Sequence, residues 1–561
     1  MIESIVYIFC INSLFVILLN VVGLKASTSQ ICLIYFFIIF FIMIKQKKYY
    51  KKIHLKKMTE NIFMHIILLT ILTVIFYKLY SWKIFVNYAS TDPATHVMMV
   101  RDFIKYKTIF YKNPVVSALG YPFLAYTNIA LFYIIKILPL YKFFIIASMI
   151  VFAMGVILFY DLLLLITNRK WVSITGTLFY LFGFNLSVLI FGFIPQLFSI
   201  TIILVLIKEL YIYSESQDKS IDKIFMIKLL LLLIGIQTSY YYYTPQIVFS
   251  TLVILLLNSK RSKSNIKKLI TIAFIYLLFF VGYNLYTSSA KGGYENLLSE
   301  EGFIYRDLYN SFILLIPFNL YFILKGIKYK KYNTLFIMFL ISLSFTFLLL
   351  VLGMKKIVSG YFYYKNYAYL SILLILTAFK ALNDIRKKDK LLFNSIMLFY
   401  FLSLLIFLKM DEYIATRNNL LNIELASQKN SVYLENSFKL QVKDYVFDKE
   451  ETEMIEYIVK NKEKYVESFN DAERLPIVSN NKQFAWFKEM TGIWPSMEPR
   501  KKYYFEVIDL EDFQNNNKFK FLVLFPRTNA EWFEKNKEQL FTDYEVEYEI
   551  GENKILKKKS Y

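Results

Sequence analysis

Long apolar stretches separated by short polar ones form the main pattern of this chain as far as about residue 408. Many of them approach the ~20 residues that a helix needs to cross a hydrocarbon layer ~30 Å thick. Beyond residue 408 such stretches stop. The pattern predicts an α-helical polytopic membrane domain at 1–410, followed by an α/β domain at 411–561. Candidate spans lie at about 3–24, 30–44, 61–80, 122–140, 143–167, 171–190, 194–211, 224–240, 246–258, 269–286, 309–325, 333–352, 366–382 and 391–408.

Composition and charge agree with a membrane protein. Apolar residues make up 57% of the chain and the mean hydropathy is +0.44, more than a water-soluble core requires. The net charge of +22 divides into +27 over residues 1–410 and −5 over residues 411–561. The positive excess lies in loops between spans, where topology explains it, so we expect no nucleic-acid partner. Cys10 and Cys32 lie in apolar stretches and predict neither a disulfide framework nor a cysteine metal site.

Lysine-rich loops indicate the orientation, because short basic loops resist translocation. Residues 45–57 hold seven lysines and are placed in the cytoplasm, with 260–268, 325–331 and 380–390. The loops at about 82–121, 287–308 and 353–365 and the C-terminal domain are then extracytoplasmic, and the N-terminus is cytoplasmic. The first span has no basic leader and reads as a retained span. Six candidate spans lie between the outer loop at 82–121 and the inner loop at 260–268. An even number of crossings returns the chain to the side from which it started, so one of the six does not cross. We therefore expect about thirteen crossings, with one re-entrant or merged segment between residues 122 and 240.

Asp92 and His96 stand out in the first long outward loop, because only Glu3 and Glu60 are acidic before them. The segment Ala94 to Lys107 has a helical apolar pattern, so it predicts a helix on the membrane surface. Asp92 and Pro93 fit its N-cap and first position, where a cap contributes about 1 kcal/mol. The spacing brings Asp92 and His96 close together in the first turn. A cap and a catalytic role are compatible.

The predicted outward loops also carry more basic residues than that side usually holds. A bound polyanion would explain them, and lipid head groups are the alternative for any one lysine. The acids of these loops are Asp92, Asp102, Glu295, Glu300, Glu301 and Asp307, and the basic residues are Arg101, Lys105, Lys107, Lys112, Lys291, Arg306, Lys355, Lys356 and Lys365.

The order of these features resembles the glycosyltransferase C superfamily. An apolar span leads to an outward loop with Asp92 and His96, then to a helix with Arg101 and Asp102, and then to Gly120-Tyr121-Pro122-Phe123 at the next span. Members of that superfamily are multi-span enzymes that take a sugar from a polyprenyl-phosphate donor at the outer face. The resemblance implies an active-site acid in this loop and an extracytoplasmic α/β domain at the end of the chain. Many members pair two acids here, whereas Asp92 stands beside Thr91.

The implied reaction needs one general base and positive charge near the departing phosphate. Asp92 is the candidate base, and His96 would orient it or contact the sugar. Lys365, Arg306, Lys355 and Lys356 are candidates for the donor phosphate. Lys365 is favoured because it stands among aromatic residues at a span end, where an interfacial anchor is the alternative. No cofactor is predicted, and without a paired-acid motif a divalent metal is possible but unsupported.

Secondary candidates come from the same loops and from two Pro-Gln pairs. Pro195-Gln196 and Pro245-Gln246 each begin an apolar stretch, which predicts proline in the first helical turn. Tyr240 to Tyr243 precede the second pair and offer rings to a sugar or isoprenoid, or else form an interfacial aromatic belt. Asp161 lies inside an apolar stretch and is expected to face protein or water. The secondary candidates are Arg101, Asp102, Tyr121, Glu295, Tyr243 and Gln246.

The resulting hypothesis is an inverting glycosyltransferase of the cell membrane, acting on a cell-envelope glycan or glycoprotein at the outer face. The expected partners are a polyprenyl-phosphate-linked sugar donor, that acceptor and membrane lipid. A polysaccharide polymerase or ligase would use similar donors. A lipid-linked-sugar transporter without transferase activity is the other alternative, although transporter folds commonly show repeated halves.

Overall fold

The computed structural model describes residues 2–26, 55–109, 122–133, 136–182, 184–216, 221–258, 263–288, 314–329, 333–409, 445–469, 472–495, 520–528 and 530–559. Within these residues, eight helical segments are long and apolar enough to cross a membrane. They are Ile2–Val21, Ile62–Tyr80, Leu140–Thr167, Ile194–Glu215, Lys223–Asn258, Asn265–Tyr283, Thr334–Met354 and Phe362–Arg386. The prediction of an α-helical polytopic fold is confirmed.

The helices of the apolar part follow one another with few other elements between them. They are α1 (Ile2–Val21), α2 (Leu55–Tyr80), α3 (Asp92–Tyr106), α4 (Leu124–Phe132), α5 (Leu140–Thr167), α6 (Lys170–Phe182), α7 (Phe184–Ile190), α8 (Ile194–Glu215), α9 (Lys223–Tyr240), α10 (Thr244–Asn258), α11 (Lys263–Ser288), α12 (Ile316–Lys328), α13 (Thr334–Met354), α14 (Gly360–Arg386) and α15 (Lys390–Lys409). A 3-10 turn, Tyr241–Tyr243, joins α9 to α10.

The candidate span at 122–140 differs most from its prediction. Its helix, α4, is only nine residues long. Nine helical residues rise about 14 Å, less than half the hydrocarbon thickness, so α4 does not cross by itself. It lies in the interval where the sequence requires one segment that does not cross. The candidate span at 30–44 falls outside the described residues.

The chain forms two compact units that do not follow one cut in the sequence. The first contains Met1–Val74, Phe103–Phe132 and Ser148–Leu440, and the second contains Ile75–Asp102, Tyr133–Ala147 and Gln441–Tyr561. The loop that carries Asp92 and His96 therefore belongs to the same unit as the C-terminal segment. The predicted boundary at 410/411 lies at the edge of residues 410–444, which are outside the described part.

In the first unit, polar side chains join the apolar helices. Asn12 on α1 donates to Asn128 Oδ1 on α4 over 2.6 Å. Asp161 on α5 lies 2.9 Å from His65 Nε2 on α2, so this carboxylate faces protein, as expected. Such pairing satisfies groups that would be costly to leave alone in hydrocarbon.

The described C-terminal part of the second unit is an α/β structure. Its helices are α16 (Lys449–Lys460), α17 (Lys462–Tyr465), α18 (Asn481–Thr491) and α19 (Ala530–Asp543). A hairpin pairs β1 (Glu467–Phe469) with β2 (Ala472–Arg474), and β3 (Ile477–Val478), β4 (Phe521–Leu524), β5 (Tyr544–Ile550) and β6 (Asn553–Lys558) form a sheet in the order β3-β4-β6-β5.

Only the β3–β4 pair of this sheet is parallel. The β5–β6 hairpin turns at Gly551, whose φ of +58° suits glycine. Leu522 and Leu524 of β4 pack with Leu540, Tyr544 and Leu556 in the core. The predicted α/β character of the C-terminal domain is confirmed.

Candidate functional site

The loop with the candidate base begins in a tight backbone turn at the end of α2. Ser81 and Ile84 have φ values of +58° and +55°. This conformation is costly for a β-branched residue such as Ile84, and strain of this kind clusters at functional sites. The amide of Asn87, which is fully buried, donates to the Leu79 carbonyl over 2.6 Å and fixes the loop to α2.

Helix α3 carries Asp92 and His96 one turn apart. The helix begins at Asp92, so the carboxylate lies in its first turn, where the helix dipole favours negative charge. Asp92 is half-buried, and His96 is 2% exposed. Val97 and Val100 are fully buried on the apolar face that the sequence predicts. The site thus places an acid and an imidazole at neighbouring positions of one helix.

The end of this segment contacts α18. Arg101 Nη1 lies 3.0 Å from Glu489 Oε2, and Arg101 Nη2 donates to the Glu489 backbone carbonyl over 2.8 Å. Glu489 is 2% exposed. The preceding residue, Lys488, has its Nζ 3.3 Å from the centroid of the Trp494 ring. The pKa of Lys488 is lowered to about 8, chiefly by burial; Arg101 adds to the change, and Glu489 and Asp102 oppose it.

Lys365, the favoured phosphate candidate, lies in the first unit near the start of α14. It is only 2% exposed, and its ammonium group lies over the Phe193 ring. Its backbone carbonyl accepts two hydrogen bonds of 2.9 Å, from Gln196 Nε2 and from the Tyr243 hydroxyl. Gln196 also donates to Tyr243. These contacts hold the backbone of Lys365 between α8 and the 3-10 turn.

A second polar chain runs beside the first. The Gln246 amide on α10 donates to Asn366 Oδ1, and Asn366 Nδ2 donates to Thr346 Oγ1 on α13 over 2.6 Å. All three side chains are buried. Lys365 and Asn366 are adjacent on α14, and they contact Tyr243 and Gln246 respectively. The structure thus brings together three residues that were predicted separately, Lys365, Tyr243 and Gln246. The proline of Pro195-Gln196 stands in the first turn of α8, as predicted.

The other predicted site residues fall into three groups. Lys355 and Lys356 are exposed at the end of α13. Arg306, Glu295 and Tyr121 lie outside the described residues. Asp92, His96, Arg101 and Asp102 share α3 in the second unit, whereas Lys365, Tyr243 and Gln246 belong to the first.

Sequence reasoning missed Glu489, Gln196 and His65 as partners. Glu489 is separated from Arg101 by 388 residues, and no local pattern relates them. Gln196 did carry a signal, since it repeats the Pro-Gln pair that contains Gln246. Within the described ranges, no group of three or more His, Cys, Asp or Glu side chains is placed to hold a metal ion.

Comparison with known proteins gives structural likenesses only. No known protein family matches the chain, and no curated protein is similar to it. The crystal structure of ArnT from Cupriavidus metallidurans bound to undecaprenyl phosphate is similar over 88% of this chain and 97% of its own, at 11% identity and a TM-score of 0.48. The Archaeoglobus fulgidus oligosaccharyltransferase AglB, in complex with an inhibitory peptide and a dolichol-phosphate, is similar over 82% of this chain and 69% of its own, at 13% identity and a TM-score of 0.41. At these scores no residue role is transferred from either protein.

Proposed function

We propose that this chain is an inverting membrane glycosyltransferase that moves a sugar from a polyprenyl-phosphate donor to a cell-envelope glycan or glycoprotein at the outer face. One observation carries the proposal. Asp92, half-buried, and His96, almost fully buried, occupy successive turns of a helix whose apolar face is covered. A carboxylate with one open side and an imidazole beside it can act as a general base with an orienting partner.

The reaction requires a displacement at the anomeric carbon of the sugar. The acceptor hydroxyl gives its proton to the Asp92 carboxylate as its oxygen bonds to that carbon. The bond from the anomeric carbon to the phosphate oxygen breaks, and the electron pair leaves with the lipid phosphate. Attack opposite the leaving group inverts the configuration. His96 would hold Asp92 or a sugar hydroxyl in place for this step.

Lys365 is proposed separately as a group that binds the donor phosphate. A buried ammonium among aromatic rings attracts an anion more strongly than one in water, because the local dielectric constant is low. Gln196 and Tyr243 fix its backbone and so limit the motion of its side chain. Undecaprenyl phosphate and dolichol-phosphate are the lipids named for the two similar structures. The proposed donor belongs to the same class of lipid.

The experiment is a transfer assay with full-length protein in lipid nanodiscs. Polyprenyl-phosphate sugars are offered beside the corresponding nucleotide sugars, and both transferred sugar and released lipid phosphate are measured. We expect release from the lipid donors and none from the nucleotide sugars, and release by Asp92→Asn should be at least about a hundredfold slower. Movement of intact donor across the bilayer without release would instead favour a transporter. Release from nucleotide sugars alone would contradict the proposed donor class.

A further inference from the structure

Helix α18 contacts the segment that carries Asp92 and His96 on both sides. The Trp486 ring stacks on Tyr88, with centroids 5.7 Å apart and an angle of 3° between the planes. Tyr88 lies four residues before Asp92. Glu489 contacts Arg101, which lies five residues after His96. Trp486 and Glu489 are three positions apart and therefore share one face of α18.

The α18 side of both contacts is shielded from solvent, while Arg101 keeps 34% of its side chain exposed. Trp486 and Tyr88 have no exposed surface, and the Glu489 carboxylate has none either. Arg101 binds the side chain and the main-chain carbonyl of Glu489 together, which fixes the direction as well as the distance of α3. The backbone bond from Val446 N–H to the Val86 carbonyl, 2.8 Å long, adds a third attachment to the same segment.

We propose that Glu489 is a positioning residue that sets the placement of Asp92 and His96 through Arg101. The C-terminal segment then acts as the support of the catalytic helix, and Trp486 and Glu489 are the contacts that α18 contributes to it. This inference rests on the proposed function of Asp92. It assigns no substrate contact to Glu489, whose carboxylate is fully buried.

The test variant is Glu489→Gln, which keeps the size of the side chain and an oxygen that can accept from Arg101. The charge is lost, so the contact weakens and α3 moves more freely. A displacement of about 1 Å at a reacting group can cost about a hundredfold in rate. We expect kcat to fall about tenfold to a hundredfold, while the KM for the lipid donor stays unchanged. Arg101→Gln with Glu489→Gln should recover part of the loss, because neither charge is then left without its partner.

A second measurement does not depend on activity. Hydrogen exchange at the amides of residues 94–100 should become faster in Glu489→Gln than in the wild type. The matched control is Glu549→Gln, which removes an exposed partner of Lys554 in the β5–β6 hairpin and should change neither kcat nor this exchange. A wild-type kcat in Glu489→Gln would overturn the inference. So would a loss of kcat with unchanged exchange, because that result would place Glu489 outside a positioning role.

The two hypotheses fail in different ways. If the wild type transfers no sugar from any polyprenyl donor, the proposed function fails and exchange alone tests the support of α3. Faster exchange in Glu489→Gln would still support that role, whereas unchanged exchange would overturn it.

Discussion

The buried Lys488 ammonium predicts an unusual dependence of stability on pH. Its pKa is lowered from 10.5 to about 8 in the folded chain, mainly by burial. The groups around it are Glu489 and Asp102, which favour its charge, and Arg101, which opposes it. Above pH 8 the folded protein releases this proton, whereas the unfolded chain holds it until about pH 10.5. Between these values the unfolded state binds more protons, so the free energy of unfolding rises with pH.

The size of the effect follows from the two pKa values, whose difference corresponds to about 3 kcal/mol. We expect Lys488→Met to remove this rise while keeping the length of the chain over Trp494. The difference in unfolding free energy, wild type minus Lys488→Met, should therefore increase by about 3 kcal/mol from pH 7 to pH 10.5. Loss of the cation–π contact with Trp494, about 0.5–2 kcal/mol, is an offset at the pH values where the lysine is charged.

The assay is denaturant unfolding of the full-length protein in detergent, followed by tryptophan fluorescence. Trp486 lies on α18, and the ring of Trp494 lies against the Lys488 ammonium. The emission of these two tryptophans therefore reports this region. Both proteins are measured in the same buffers, which cancels the effects of all other titrating groups. Parallel stability curves for the two proteins between pH 8 and 10.5 would refute the reasoning, and so would a fall of the wild type relative to the variant.

Two further predictions concern buried contacts elsewhere. Arg527 lies 2.9 and 3.1 Å from the two oxygens of Glu451, which is fully buried and whose pKa is raised chiefly by burial. Arg527→Met should cost about 3–5 kcal/mol of unfolding free energy at pH 8, and less at acid pH as Glu451 takes up a proton; equal losses at both pH values would contradict this. In the first unit, a Cβ at Gly235 would collide with Cys10 Sγ. Gly235→Ala should therefore lower stability by about 1–3 kcal/mol, and Cys10→Ala should relieve that loss when detergent unfolding of the single and double variants is compared.

Local pattern predicts much of this fold. Apolar stretches of span length predict the long helices, and their end at about residue 408 predicts where the membrane domain stops. The segment at 122–140 shows the limit, because its apolar content suits a span while its helix ends at Phe132. Hydropathy reports what a segment can be buried in, not how much of it is helical.

The candidate site is less accessible from sequence. The position of Asp92 in the first turn of a helix follows from local rules. Lys365 resembled an interfacial anchor, and its burial depends on contacts from Gln196 and Tyr243, which are distant in the chain. The partner of Arg101 lies 388 residues away. Such pairs are set by the packing of whole elements, so no spacing rule could identify them.

The central claim is that Asp92 removes the proton of the acceptor hydroxyl, and the rate of sugar transfer by Asp92→Asn tests it most directly. Asp222→Asn is the matched control, because Asp222 caps α9 through the Phe225 amide and asparagine caps equally well. General-base catalysis is worth about a hundredfold to ten-thousandfold in rate. With purified wild type active on a polyprenyl-phosphate sugar, we expect kcat of Asp92→Asn to fall by at least about a hundredfold. The donor KM should stay near the wild-type value, and Asp222→Asn should keep the wild-type rate. A wild-type kcat in Asp92→Asn would contradict the claim.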